Sequence, residues 1–325
     1  MKLSRRRVLH LAAGAAALPV MSRIASAQAY PARPVRIIVP FAPAGTTDIT
    51  ARLIGQWLSE QLGQQFFVET RPGAGTNIGI EAVVRARPDG YTLLMTDPSP
   101  TITATLYDKL SFNFINDIAP VAGITRFPIV MVVNPSVPAK TIPEFIAYAK
   151  ANPGKINLGS PGIGTPGHVA GELFKMMASV DLVHVPYRGG GPVMTDLLGG
   201  QVQVLFGSTS LTIEQIRAGK LRPLAVTTTT RWEGLPDIPT VDDFVSGYEA
   251  SAWAGFGAPK NTPTEIVEKL NKEINAGLAD PKMKARLADL GGAVLPGLPA
   301  DFGKLIADET EKWGKVIRAA NIKAD

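Results

Sequence analysis

Pro40-Phe41-Ala42-Pro43-Ala44-Gly45-Thr46-Thr47-Asp48 and Gly159-Ser160-Pro161-Gly162-Ile163-Gly164-Thr165-Pro166-Gly167-His168 are the two stretches on which the fold turns. Each joins an apolar, strand-like run to a segment with helical periodicity. Glycine lets main chain approach a ligand closely, and the N–H groups of a helix's first turn, with the helix dipole, favour an anion there. Two such turns in separate halves of one chain predict a cleft that grips an acid from both sides.

Outward from the first turn, strand-like runs at Val35 to Val39, Phe66 to Val68 and Thr92 to Met95 alternate with helical segments, starting with Asp48 to Leu62. That alternation predicts parallel α/β sheets. In the first helix Ile49, Leu53, Trp57, Leu58 and Leu62 form the expected apolar stripe. A second α/β set begins near Ile129 to Val133, with a capping box from Thr141 to Glu144 and strands Ile156 to Leu158, Leu182 to Val185 and Val202 to Phe206. The chain leaves this set through Leu224 to Thr227. The strand-like Ala252 to Ala258, a second capping box from Thr262 to Glu265 and a helical end broken at Pro281 and Pro299 then return to the first sheet. The expected division is a discontinuous domain of residues 28–127 and 228–325, with 128–227 inserted. Two connections between domains make a hinge.

Ser4-Arg5-Arg6-Arg7-Val8-Leu9, an apolar run from Leu11 to Met21 and the small-residue stop Ala25-Ser26-Ala27 read as a twin-arginine export signal over residues 1–27, cleaved near Ala27. The run is too short for a membrane span, so a soluble periplasmic protein is expected. The signal holds five of the 33 basic residues and no acid, leaving 28 against 28 acidic residues and no basic footprint for nucleic acid. The absence of cysteine fits an oxidising compartment.

Gly162-Ile163-Gly164-Thr165-Pro166-Gly167 satisfies the dinucleotide pattern G-x-G-x-x-G, which makes a periplasmic NADP-dependent oxidoreductase the alternative reading. The acid expected after the next strand is missing. Pro186-Tyr187-Arg188 stands there, and Arg188 would at best meet a 2′-phosphate. Asp48 is read as an N-cap or as a ligand-facing carboxylate. Thr46 and Thr47 offer hydroxyls to a carboxylate. His168, in a helix's first turn, is read as a neutral N–H donor or a cap, and His184 as a satisfied strand histidine. Arg188 is read as a bidentate clamp for a second carboxylate or as a surface arginine. No G-x-S-x-G elbow is present, Ser160 and Ser208 have no evident base, and the histidines lack metal-ligand spacing. These residues indicate no enzyme, cofactor or metal.

The export signal, Val39-Pro40-Phe41 with its turn, Arg71-Pro72-Gly73-Ala74-Gly75, Pro88-Asp89-Gly90-Tyr91-Thr92-Leu93-Leu94, Gly164 to His168 with Ala170-Gly171-Glu172-Leu173-Phe174, His184-Val185-Pro186-Tyr187 and Ala218-Gly219-Lys220-Leu221-Arg222 together resemble the Bug family, the substrate-binding proteins of tripartite tricarboxylate transporters. The resemblance covers essentially the whole mature chain. It implies an α/β two-domain periplasmic binding protein of the Venus-flytrap kind, monomeric, closing on a small carboxylate and serving the membrane subunits of such a transporter.

By that resemblance, one carboxylate is held around Phe41, Ala44, Gly45, Thr46, Thr47 and Asp48, and by Ser160, Gly162, Gly164, Thr165 and His168. Specificity at the far end comes from Thr96, Ser99, Arg188 and Ser208. Ala44 and Thr46 interrupt a first turn that is commonly all glycine in the family. Gly207 stands where an acid is frequent, and Arg188 where lysine is common. These departures favour a dicarboxylate or aromatic acid over an amino acid.

Overall fold

The structure, a computed structural model, describes residues 30–41, 43, 45–107 and 109–324. The expected export signal at 1–27 and Ala44 of the first glycine turn lie outside the described residues. In chain order the elements are β1 (Val35–Val39), α1 (Thr46–Leu62), β2 (Phe66–Thr70), α2 (Asn77–Val84), β3 (Thr92–Thr96), α3 (Ser99–Leu106), α4 (Phe114–Asp117), β4 (Ile118–Phe127) and β5 (Ile129–Val133). There follow α5 (Ile142–Ala151), β6 (Asn157–Ser160), α6 (Pro166–Ala178), β7 (Val183–Pro186), α7 (Gly190–Leu198), β8 (Val204–Ser208), α8 (Thr209–Arg217) and β9 (Arg222–Val226). The chain closes with β10 (Ala252–Pro259), α9 (Thr264–Ala279), α10 (Pro281–Asp289), β11 (Ala293–Val294) and α11 (Pro299–Ala319).

The strands form a six-stranded sheet, β11-β4-β10-β3-β1-β2, and a five-stranded sheet, β7-β6-β8-β5-β9. Strands β1, β2 and β3 run parallel, as do β6, β7 and β8. The sheets are mixed rather than parallel throughout, because β10 pairs antiparallel with β3 and β4, and β5 pairs antiparallel with β8 and β9. The chain passes to the second sheet along β4 and β5 and returns along β10, so the return strand must run against the outgoing one.

In β1 Val35, Ile37, Ile38 and Val39 are all buried, because helices cover both faces of a central strand. One face packs on Ile54 and Leu58 of α1 and Leu270 and Ile274 of α9, and the other on Ile80 and Val83 of α2 and Phe302 of α11. The buried stripe of α1 is Ala51, Ile54 and Leu58. The expected Trp57 lies on its flank, where its Nε1–H donates to the Glu273 carbonyl of α9 at 2.8 Å. The helix is covered from two sides, so its apolar arc is wider than one seam.

The second core takes Phe145, Leu158, Phe174 and Phe206 together with Ile102 and Leu106 of α3 and Trp313, Val316 and Ile317 of α11. Helix α11, at 21 residues, reaches both cores, with Phe302 and Ile306 against the first sheet and Trp313, Val316 and Ile317 in the second core. Thr141 caps α5 as expected, its Oγ accepting from Glu144 N–H, while the Glu144 carboxylate accepts from Lys140 rather than Thr141. The second capping box does not form. Helix α9 starts at Thr264 after an N-cap Pro263, and the Thr262 hydroxyl donates to the Pro259 carbonyl instead.

Candidate functional site

Helices α1 and α6 both begin at the carboxyl ends of parallel strands, where open α/β sheets bind ligands. Gly45 is the N-cap of α1 and Thr165 that of α6, and neither helix has a side-chain cap. Asp48 is thus not an N-cap; it is buried in the first turn, 3.0 Å from Arg52 Nε. The helix starts earlier than expected because the Thr50 hydroxyl bonds the Thr46 carbonyl and Ile49 N–H the Gly45 carbonyl. The N–H groups of Thr46 and Thr47, in the first turn, have no intrahelical acceptor. Phe41 packs against the first core at the root of this turn.

In the second turn the main chain is partly used by the protein itself. Gly162 N–H donates to Ser160 Oγ at 3.3 Å, Gly164 N–H to His168 Nδ1 at 3.1 Å and Thr165 N–H to the Gly162 carbonyl at 3.3 Å. Among the described residues, the N–H groups left without an acceptor in the turn are those of Ile163, Gly167 and His168. Pro166 has no N–H to satisfy. His168 therefore accepts through its ring and is neutral. Burial, then His184 and Lys175, push its pKa down to about 3, and burial followed by Lys175 takes His184 down to about 4.

The two histidine rings stack, with centroids 3.7 Å apart and planes 13° from parallel, and His184 Nε2 lies 2.7 Å from Ser160 Oγ. Ser160 thus has the imidazole partner that the sequence did not reveal, since β6 and β7 pair with Gly159 opposite Val185. Ser160 is fully buried and its hydroxyl also bonds the Gly162 carbonyl, so the pair braces a loop and presents no accessible nucleophile.

Gly167 meets β8 so closely that a Cβ there would fall 2.2 Å from the Phe206 carbonyl oxygen. A Cβ on Gly164 would fall 2.6 Å from Leu106 Cδ2. The loop carrying Arg188 is tied alongside by Gly189 N–H donating to the Pro161 carbonyl at 2.8 Å. Arg188 itself is exposed and makes no ion pair among the described residues.

On the first lobe Thr96 is buried at the end of β3, and Ser99 N–H donates to Asp97 Oδ1 at 2.8 Å. Burial pushes the Asp97 carboxyl up to about 6. His184 is the satisfied strand histidine the sequence suggests, whereas Asp97 is a site-region residue that the sequence reading did not single out. The position of Asp97, directly after a parallel strand, was the available signal. Ser208 is exposed and precedes α8, with Ser210 Oγ 3.1 Å from its hydroxyl. A groove of about 840 Å³ has Thr46 of the first lobe and Thr209 and Ser210 of the second in its walls, and extends to Trp232 and Lys284. The structure thus gathers Ser160, Gly162, Gly164, Thr165, His168 and Arg188 at one sheet edge and Phe41, Gly45 to Asp48, Thr96 and Ser99 at the other. Among the described residues no group of acids and histidines is placed to hold a metal ion, and no helix is long and apolar enough to cross a membrane.

Residues 50–322 match the model of the tripartite tricarboxylate transporter family receptor. The chain is 35% identical over 303 residues to the protein BugT of Bordetella pertussis, covering 92% of each. Among solved structures it is similar to R. palustris Rpa4515 with adipate, at 36% identity and TM-score 0.79 over 90% of this chain and 99% of that one. It is also similar to MatC from Rhodopseudomonas palustris with bound malate, at 31% identity and TM-score 0.74 over 89% of this chain and all (100%) of that one.

Proposed function

Because this chain belongs to the tripartite tricarboxylate transporter receptor family, which includes the Bug proteins, we propose that it captures a small organic carboxylate between its two lobes and delivers it to the membrane subunits of such a transporter. The observation that carries this reading is the pair of helix starts, α1 and α6, left without side-chain caps at the carboxyl edges of the two sheets. Unpaired first-turn N–H groups and the dipole behind them suit an oxyanion, and their fixed geometry requires little ordering on binding.

One carboxylate is received by the turn of Phe41, Ala44, Gly45, Thr46, Thr47 and Asp48, chiefly through main-chain N–H and the two threonine hydroxyls. The second turn contributes the N–H groups of Gly167 and His168, with Ser160, Gly162, Gly164 and Thr165 giving it shape. Thr96, Ser99, Arg188 and Ser208 face the rest of the ligand. Arg188, exposed and unpaired, supplies a clamp for a second carboxylate, and the adipate and malate carried by similar proteins are dicarboxylates. Residues 28–127 and 228–325 close on residues 128–227 about the crossing strands, as a monomer in the periplasm after twin-arginine export. The role is binding without chemistry.

A thermal-shift screen of the mature protein against malate, adipate, citrate and benzoate tests this. At a ligand concentration about a hundred times the dissociation constant, linkage adds roughly 2.7 kcal/mol of stability. A flat response to every acid overturns the reading. An Arg188→Ala variant that holds dicarboxylates as tightly as the parent overturns the clamp.

A further inference from the structure

Two histidines from different elements, His168 of α6, which is buried, and His184 of β7, which is half-buried, meet face to face directly beneath the second glycine turn. His168 Nδ1 accepts from Gly164 N–H, His184 Nε2 bonds Ser160 Oγ, and Ser160 Oγ in turn bonds both the N–H and the carbonyl of Gly162. Each of these anchors of the turn thus leads back to one of the two rings. Gly164, whose N–H is anchored in this way, holds a φ of +73°, a conformation that only a glycine adopts readily.

We propose that the His168–His184 stack is the positioning element of the anion-binding turn, and that the ring of His168 holds the loop without touching the ligand. The proposal rests on the carboxylate-binding reading above and assigns a role within that site. With Nδ1 engaged as an acceptor, the ring proton of His168 sits on Nε2, which points along α6 toward Glu172 Oε1 at 4.0 Å and away from the turn. Glu172 is itself engaged by Lys175 at 2.9 Å. The groups bearing on the rings are therefore Glu172 and Lys175 from α6, the uncharged Ser160 from β6, and each other. A cation on either ring would be pressed against its neighbour and face Lys175, so the brace works only while both rings are neutral. What the ligand then meets is the main-chain N–H of His168 at the start of α6, aimed by its own side chain.

The test compares His168→Leu with His168→Asn, whose Oδ1 stands in for Nδ1 as the acceptor for Gly164 N–H, and His184→Leu with His184→Gln, which restores the bond to Ser160. Adipate and malate affinities are measured by calorimetry. Amide spectra of ligand-free protein report Ile163, Gly164 and Thr165, and long-range proton–nitrogen spectra report the ring tautomers. The expected result is a loss of about tenfold in affinity for each leucine variant, the size of one broken buried hydrogen bond, with displaced loop amides and recovery in His168→Asn and His184→Gln. His168 should show the Nε2–H tautomer at neutral pH, and affinity in the parent should stay flat down to about pH 5. If His168→Leu moves the Gly164 amide yet leaves affinity unchanged, or leaves the loop amides in place, the proposal is overturned. Should a leucine variant not fold, the Asn and Gln variants and the tautomer of the parent still decide it. A parent that binds neither acid sinks the carboxylate reading, while the loop amides continue to report on the brace.

Discussion

Gly164, at the tip of the second glycine turn, lies directly against Leu106 of α3, a helix that also packs into the second core. The contact is made by main chain, and a side chain on Gly164 would need both a left-handed conformation and room that Leu106 occupies.

Gly164→Ala should therefore cost about 1–3 kcal/mol, from backbone strain at positive φ together with the clash. Leu106→Ala in the same chain should return part of that loss, giving a clear coupling in a double-mutant cycle read by chemical denaturation. Strict additivity of the two changes would show that the two residues do not bear on one another.

Asp97→Asn should stabilise the protein at neutral pH. Burial raises the carboxyl to about 6 from an unfolded value near 3.9, so the folded state binds more protons between those values and stability falls as pH rises through them. The cost is complete above about pH 6 and absent below about pH 4. Asparagine keeps the acceptor for Ser99 N–H, and denaturation midpoints at pH 7 and pH 4 should differ by about 1–3 kcal/mol in the benefit they show. An equal effect at both values would remove the ionisation from the account.

The histidines carry the opposite sign. Their folded values, about 3 for His168 and about 4 for His184, lie below the unfolded value, so the stability they allow is complete above about pH 6.5 and declines as pH falls toward those values. The paired His168→Asn and His184→Gln variant should lose about 1–3 kcal/mol less than the parent between pH 6.5 and 4.5. Parallel acid limbs in equilibrium denaturation would count against it.

Glu249 joins the connection back to the first lobe to two other elements, with Arg126 of β4 at 3.0 Å and Lys312 of α11 at 2.8 Å. Burial alone would raise its pKa, but Lys312 and then Ser251 and Arg126 outweigh it and hold the carboxylate below its usual range. Glu249→Gln should cost about 1–3 kcal/mol at pH 7 by leaving two cations partly buried without their shared partner. Since a lowered carboxylate stabilises only while ionised, the gap between parent and variant should close as the pH falls through the carboxylate range. A gap that persists in acid would assign the loss to packing.

Much of the strand and helix order was legible because the apolar periods are strong and local. The runs at Val35 to Val39 and Val202 to Phe206 and the glycine turns ahead of α1 and α6 depend on neighbours within a turn or two. The misplaced features share a different cause. Asp48 lies inside the first turn rather than at the cap because the helix start depends on what Thr50 and Ile49 bond, and Thr262 does not cap α9 because Pro263 shifts its start. Ser160 had no visible base, since His184 is brought to it only by the pairing of β6 with β7.

The sequence by itself determined the two glycine turns, the alternation that builds α/β layers and the family pattern, all of which are written in residue types and short spacings. Tertiary structure alone decided which main-chain N–H groups remain open, that Leu106 closes over Gly164, that α11 serves both cores and that two distant histidines share one stack. Those outcomes follow from sheet register and from the approach of one lobe to the other, and no spacing along the chain encodes either.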